Sequence, residues 1–204
     1  MGVLRRIFGP SKEEVWKQLA EEIRADFVEG GSWKGSRVKG QVKQWIVTLD
    51  TYVVSTGKAN MVFTRMRAPY VNKDGLRFKI YRRGFFSNLG KLLGMQDIEI
   101  GFSDFDDEFI IKGNNPEQIR LLFANPAVRE LIQAQTSITL EVKDDEGWFG
   151  ETFPEGVDEL HFQVLGIIKE IDRLKALYDL FGEVLNHLCF IGSAYEDDPG
   201  VKLK

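Results

Sequence analysis

Short segments in which apolar residues alternate with polar ones recur along this chain, and they limit its fold more than any other feature of the sequence. A period of two places the apolar side chains on one face of a β-strand and the polar side chains on the other. The apolar members form four groups: Trp45, Val47 and Leu49; Leu76, Phe78 and Ile80; Ile138, Leu140 and Val142; and Leu160, Phe162 and Val164. The pattern predicts antiparallel strands with one face on a core.

Three further segments, 61–66, 98–102 and 109–112, also predict strands. The polar turn at 55–60 joins the first of them to the strand around Val47, which gives a hairpin with long arms. In the strand around Phe78 the polar positions include Arg77 and Lys79, and we expect this basic face to be in water.

Helical periodicity marks the start of the chain. Ser11 and Glu14 have the spacing of a capping box, and apolar residues then recur every three or four positions. These residues are Val15, Leu19, Ile23 and Phe27. The sequence therefore predicts a helix over residues 12–27 that Gly30 and Gly31 end.

Helices also occur in the middle and near the end of the sequence. Asn115-Pro116 and Asn125-Pro126 each pair a capping side chain with a proline suited to the first helical position. They predict two short helices that run to about Phe123 and Ala134. An apolar stripe predicts a last helix of about 20 residues that ends near Gly192. The stripe consists of Ile171, Leu174, Leu177, Phe181, Val184 and Leu188.

These elements predict an α+β fold: a mainly antiparallel sheet of seven or eight strands, an N-terminal helix, two short middle helices and a long C-terminal helix. With 204 residues, 43% of them hydrophobic, the chain suits a single domain over 1–204. We expect residues 1–10 and 196–204 to be flexible. The sequence has one cysteine, Cys189, no signal-like segment and no apolar run near the ~20 residues of a membrane span. These features predict a cytoplasmic protein.

The net charge of -4 conceals two regions of opposite sign. Residues 30–95 contain 13 Lys and Arg against two acids, whereas residues 96–204 contain 23 acids against nine bases. Either the two regions interleave and neutralise each other, or the fold has one basic and one acidic face. We favour interleaving, because two regions that share one core lie against each other.

A resemblance supports this fold. The run FDDEFIIKGNNP at 105–116, followed by LLFANPAVRELI at 121–132, resembles a pattern of bacterial domains of unknown function, in which a strand is followed by paired short helices. Some proteins of that kind have membrane helices ahead of the domain. The resemblance implies no activity, cofactor or catalytic residue.

The residues themselves indicate no catalytic, metal or cofactor site. Five residues separate Gly84 from Gly90 where a P-loop has four, and Leu92 replaces its hydroxyl residue. His161 and His187 lack ligand spacing, and Cys189 lacks a cationic neighbour. The acids at 104–108 lack the remaining positions of a calcium loop and predict a solvated turn. The overall negative charge argues against nucleic acid as a partner, and no small-molecule ligand is specified.

One stretch, RRGFFSNLGKLLGM at 82–95, combines six large apolar side chains with three cations. Leaving those side chains in water costs on the order of 10 kcal/mol, so the stretch must pack on something. Either it fills the chain's own core, or it forms a surface for a protein partner, a second copy or an anionic membrane. The candidate interaction surface consists of Arg82, Arg83, Phe85, Phe86, Leu89, Lys91, Leu92 and Leu93.

The sequence thus favours a non-enzymatic binding or interaction module, with protein–protein contact or self-association as its role. Peripheral membrane association through basic and apolar segments, including MGVLRRIFG at 1–9, is the alternative. An enzyme whose catalytic residues come from distant positions is a further alternative.

Overall fold

The elements of the chain follow the predicted order in a computed structural model, which describes residues 9–31, 35–57, 59–84, 96–144, 152–201 and 203. These residues contain five helices: α1 Lys12–Ile23, α2 Ser103–Glu108, α3 Pro116–Ala124, α4 Pro126–Gln133 and α5 Ile171–Phe190. They also contain ten strands: β1 Asp26–Val28, β2 Arg37–Val42, β3 Trp45–Ser55, β4 Asn60–Asn72, β5 Phe78–Arg82, β6 Gln96–Asp97, β7 Phe109–Gly113, β8 Thr139–Lys143, β9 Val157–Leu165 and β10 Ala194–Tyr195. The predicted α+β class is confirmed.

The ten strands form one antiparallel sheet. Nine of them lie in the order β1-β2-β3-β4-β9-β8-β5-β7-β6, and β10 pairs with the end of β4. The predicted hairpin is β3–β4, whose eight residue pairs run from Thr48 opposite Arg67 to Ser55 opposite Asn60. Because β9 then pairs with the other edge of β4, the two halves of the sheet meet along β4 and β9.

One face of the sheet is apolar and carries the helices. A single row of paired residues crosses seven strands on this face, and every member is buried. The row consists of Val38, Leu49, Met66, Phe162, Leu140, Ile80 and Ile111. Buried side chains of all five helices join the same core. The opposite face consists of the alternate, mainly polar residues, and we call it the polar face.

The start of α1 is as predicted, but its predicted end is wrong. The Ser11 hydroxyl accepts from the Glu14 N–H at 3.2 Å, and the Glu14 carboxylate accepts from the Ser11 N–H at 3.0 Å. Arg24 then takes a left-handed conformation (φ 56°) and ends the helix. Phe27, which has the helical spacing, lies instead on β1 opposite Val38, and it reaches the core from a strand.

A second difference lies between β6 and β7. The strand expected at 98–102 is only the pair Gln96–Asp97, and the solvated turn expected at 104–108 is α2. The Asp106 carboxylate accepts three backbone N–H groups, from Ile100, Gly101 and Phe102, at 2.9–3.1 Å. This acid is therefore a structural anchor that folds the preceding loop onto the helix.

The end of the chain packs more closely than its polar composition suggests. Residues 196–198 are exposed, as expected for a polar tail, but Leu203 is buried against Phe153 and Val157. The Lys39 ammonium donates to the Leu203 carbonyl at 3.0 Å. The tail thus returns to the polar face of the sheet.

Gly113 gives a direct test of how closely α3 approaches the sheet. A Cβ at this position would overlap the Ile119 side chain and lie 2.7 Å from the Arg77 carbonyl oxygen, which cannot move without breaking the sheet. We expect Gly113→Ala to lower the free energy of unfolding by about 3 kcal/mol, measured by urea denaturation. Gly31→Ala, whose added Cβ meets no atom of the described residues within 4 Å, is the matched control, and equal losses in the two variants would contradict the close approach.

Candidate functional site

Charged side chains form a row across the polar face. In most antiparallel sheets with one face on a core, the opposite face is in water. One row of paired residues crosses nine strands there: Asp26, Lys39, Thr48, Arg67, His161, Glu141, Lys79, Lys112 and Asp97. The neighbouring rows add Asp50 and Arg65 on one side and Glu159 and Lys143 on the other. We call the central members of these rows the polar cluster. It consists of Asp50, Arg65, Arg67, Glu159, His161, Glu141, Lys143 and Lys79.

The centre of the polar cluster is buried although it consists of ionisable side chains. Arg67 is 1% exposed, Glu159 0%, His161 4% and Lys79 5%. The predicted wet basic face on β5 is therefore wrong for Lys79, whereas Arg77 stays partly exposed. Since an unpaired buried charge is strongly unfavourable, the arrangement of these groups determines whether the sheet is stable.

Asp50 joins the two arginines of β4. Its carboxylate accepts from Arg65 Nε at 2.6 Å and Nη2 at 3.1 Å, and from Arg67 Nη2 at 2.6 Å. Two charge-assisted contacts in a fork geometry make the Arg65 pair directional as well as strong. Asp50 thus compensates a guanidinium that is almost completely out of water.

Glu141 holds the other half of the polar cluster. Its carboxylate lies 2.8 Å from Lys79 Nζ and 3.3 Å from Lys143 Nζ, and 3.8 Å from His161 Nδ1. Burial and the nearby cations lower the pKa of His161 well below its ordinary range, so the ring is neutral. Lys143 Nζ lies 3.4 Å from His161 Nε2, and an ammonium only donates, so Nε2 accepts and Nδ1 carries the proton on the side of Glu141.

Glu159 differs from the other acids of the cluster. It faces Pro69 and Lys143 in the sheet register, and among the described residues neither of its buried carboxylate oxygens has a hydrogen-bond partner. Burial raises the pKa of Glu159 to about 7, against the opposing effect of Arg67 and Lys143. This carboxyl therefore changes its charge near neutral pH.

Only the first two residues of the candidate interaction surface lie within the described residues. Arg82 pairs with Glu108, donates to the carbonyls of Gln133 and Gln135, and lies 4.8 Å from the ring centre of Phe109. Arg83 Nη2 donates to the Asp106 carbonyl at 3.0 Å. Both arginines anchor the end of β5. The other members, Phe85, Phe86, Leu89, Lys91, Leu92 and Leu93, lie outside the described residues.

The predicted interleaving of the basic and acidic regions is confirmed for three pairs. Lys79 meets Glu141, Arg77 Nη1 lies 2.7 Å from Asp144, and Arg82 meets Glu108. Each pair joins a cation of residues 30–95 to an acid of residues 96–204. Two cations of the basic region, Arg67 and Lys79, are buried inside the protein.

The remaining candidate groups do not come together. His187 lies on α5 with Nε2 3.1 Å from the Leu121 carbonyl oxygen, away from His161 on β9. Cys189 is half-buried, and burial raises the pKa of its thiol, which disfavours the thiolate. Among the described residues no three His, Cys, Asp or Glu side chains are grouped as metal ligands, and no helix is long and apolar enough to cross a membrane.

Comparison with known proteins finds a solved structure with a similar fold. No family model and no curated protein matches the chain. Among solved structures, the crystal structure of the mycobacterial trehalose monomycolate transport factor A, TtfA, is similar with a TM-score of 0.54 and 9% identity. The match covers 86% of this chain and 95% of that one. At this identity the likeness shows a shared fold, and the resemblance of residues 105–132 to bacterial domains of unknown function stays a prediction.

Asp50→Ala tests whether the polar cluster depends on charge compensation. The variant leaves Arg67 buried without the carboxylate 2.6 Å away, and we expect the free energy of unfolding to fall by about 3 kcal/mol. Asp97→Ala is the matched control, because Asp97 pairs with Lys112 at 2.9 Å but is 75% exposed, and its loss should cost less than about 1 kcal/mol. Urea denaturation at neutral pH measures both losses of stability. Similar losses would show that the buried Asp50 stabilises the fold no more than the exposed Asp97.

The raised pKa of Glu159 predicts that the free energy of unfolding depends on pH. Its pKa is about 7 in the folded chain against an ordinary 4.5, so folding becomes less favourable as pH rises from 4.5 through about 7. The difference amounts to about 3 kcal/mol. Glu159→Gln, which keeps the shape of the neutral acid, should remove this decline and be more stable than the unmodified chain at about pH 8.

Urea denaturation at several pH values between about 5 and 8 measures the effect. Glu155→Gln, a change at an exposed carboxylate, should leave the decline in place. If Glu159→Gln loses stability with pH as steeply as the unmodified chain, the ionisation of Glu159 is not its cause.

Proposed function

We propose that this chain is a non-catalytic binding module whose partner is another protein or a second copy of the chain. The observation that carries the proposal is that Asp50 and Glu141 are each paired with two cations of the polar cluster. Asp50 is engaged by Arg65 and Arg67, and Glu141 by Lys79 and Lys143. A catalytic acid, base or nucleophile needs one side free toward a substrate, whereas these groups face one another.

The position of His161 supports the same proposal. A general base at neutral pH needs a ring nitrogen that is accessible and basic, and His161 is 4% exposed with a strongly lowered pKa. Its Nε2 faces Lys143, so the nitrogen that would take a proton already lies beside an ammonium. The histidine thus fills a structural place in the sheet.

The binding surface in this proposal is the candidate interaction surface of residues 82–93. Arg82 and Arg83 fix where it begins, because both side chains bind α2, β7 or the end of α4 rather than pointing to a partner. The apolar side chains that follow in the sequence would then supply the contact, since apolar area drives association. A cytoplasmic location remains the prediction of the sequence.

Peripheral membrane association is the second candidate. Its support is the fold shared with TtfA, which is named for the transport of trehalose monomycolate. The ion pair between Arg82 and Glu108 weakens it, because a cation matched within the chain contributes little to attraction by anionic lipid.

Self-association and membrane binding are separable with one double variant, Phe85→Ser/Phe86→Ser. A mass above 23.3 kDa in light scattering is expected for the unmodified chain, and a mass of one chain is expected for the variant at an unchanged melting temperature. Leu121→Ser, which replaces an apolar residue of α3 that is 54% exposed, is the matched control and should associate like the unmodified chain.

Two other outcomes would overturn the proposal, and a third would narrow it. Loss of thermal stability in the double variant would assign Phe85 and Phe86 to the core. Salt-sensitive co-sedimentation of the unmodified chain with anionic vesicles, lost in the variant, would establish the membrane alternative. A single-chain mass for the unmodified protein would exclude self-association and leave a different protein as partner.

A further inference from the structure

The β3–β4 hairpin extends beyond the strands on either side of it. The ladder between β3 and β2 ends at Leu49, and the ladder between β4 and β9 ends at Thr64. The two strands of the hairpin continue as each other's partners for five pairs, over residues 51–55 and 60–64. We call these two ranges the arm. It is mainly a two-stranded ribbon about 17 Å long, at ~3.4 Å per residue.

The arm has apolar side chains on both of its faces, and several of them are in water. Its apolar cross-strand pairs are Tyr52 with Phe63, Val53 with Val62, and Val54 with Met61. The first and third pairs lie on the polar face, where the two rings stack with 5.2 Å between their centres. Val53 is 59% exposed and Val54 is 37% exposed. Leu165, which lies beside the arm at the end of β9, is 63% exposed.

Contacts within the chain hold the base of the arm. Tyr52 donates its hydroxyl hydrogen to Gln163 Oε1 at 2.5 Å, and the Gly166 N–H donates to the Val62 carbonyl at 2.8 Å. A two-stranded ribbon needs a further strand or a packed apolar layer to be stable in water. Since Val54 and Leu165 remain exposed, the apolar layer on the polar face of the arm is incomplete in a single chain.

The charge of the arm indicates what completes this layer. Residues 51–64 contain no acid and one cation, Lys58, and Arg65, which follows, is matched by Asp50. A two-fold contact places a surface against its own copy, so it requires a surface with little unmatched charge. An anionic membrane, in contrast, attracts a cluster of cations. The arm therefore suits a second copy of the chain.

The arm also lies at the same end of the sheet as the start of residues 82–93. Tyr81 pairs with Thr139, which pairs with Gln163, two positions before Leu165. Because these strands are antiparallel, β5 ends on the side toward which the arm extends. One partner can therefore contact the arm and the surface that follows β5.

We propose that the arm packs against the arm of a second copy in a two-fold symmetric dimer. The contact consists of the side chains on its polar face: Tyr52, Val54, Met61, Phe63 and Leu165. Each arm supplies the apolar layer that the other lacks. This inference rests on the proposed function for self-association itself, and it assigns that association to a surface outside residues 82–93.

The test measures the dissociation constant of the dimer by sedimentation equilibrium of the full chain. Val54→Glu places a charge in the contact, and the change enters both copies. We expect the dissociation constant to rise about a hundredfold or more at an unchanged melting temperature. Leu121→Glu, at a position of α3 that is 54% exposed, is the matched control and should leave the constant unchanged.

Three results would overturn the inference. One is a mass of 23.3 kDa for the unmodified chain at about 100 μM, a concentration at which a dimer with a Kd of ~1 μM is the main species. The second is an unchanged dissociation constant in a folded Val54→Glu chain. The third is an equal rise in the Leu121→Glu control. If Val54→Glu fails to fold, Leu165→Glu takes its place with the same criteria.

The same measurements separate this inference from the proposed function. A dimer that Phe85→Ser/Phe86→Ser dissociates and Val54→Glu does not would overturn the arm contact and leave the surface at 82–93 intact. The reverse pattern would support the arm contact and overturn that surface. A single-chain mass together with co-sedimentation on vesicles of phosphatidylglycerol and phosphatidylcholine, lost in Val54→Glu, would assign the arm to a membrane and overturn the inference.

Discussion

The pairing of opposite charges across the polar face is the constraint on which the rest of this fold depends. Arg67 and Lys79 are almost completely removed from water, and such charges are tolerated only where partners such as Asp50 and Glu141 lie beside them. The partners come from neighbouring strands, so the sheet register and the charge pairing require each other. A slip of one residue between β8 and β9 would turn His161 and Glu141 to opposite faces and expose the apolar row of the core.

This constraint also explains why the sequence predicted the fold better than the site. Alternation, capping boxes and proline positions are local, and they predicted the β3–β4 hairpin, α3, α4 and α5. Alternation alone does not tell whether the polar face of a strand meets water or other charged groups. That depends on pairs such as Lys79 with Glu141, which are 62 positions apart and meet only once β5 and β8 are neighbours.

The local errors have a similar origin. Phe27 continues the helical spacing of α1, yet the left-handed Arg24 ends the helix, and β1 forms because β2 offers a free edge. The acids at 104–108 resembled a solvated turn because the sequence does not show that Asp106 would bind three backbone N–H groups. Arg82 and Arg83 looked like surface cations because the sequence does not show that Arg82 pairs with Glu108 and that Arg83 binds the Asp106 carbonyl.

The likeness to TtfA at 9% identity illustrates which features a fold retains. The period of apolar residues and the order of the strands determine the architecture, and almost any apolar side chain of suitable size satisfies them. The polar face is where two such chains are free to differ in chemistry, because function resides in sites built on a fold rather than in the fold itself. In this chain that face contains the polar cluster.

The pairing of β4 with β9 has a consequence for how the protein is made. The two strands are separated by 84 residues of chain, 73–156, and Trp16 of α1 donates to the carbonyl of Ile168, 152 positions later. The ribosome therefore delivers the β3–β4 hairpin and the first helix long before their neighbours exist. Until then the edge of β4 stays open to other chains, and contacts of such long range slow folding.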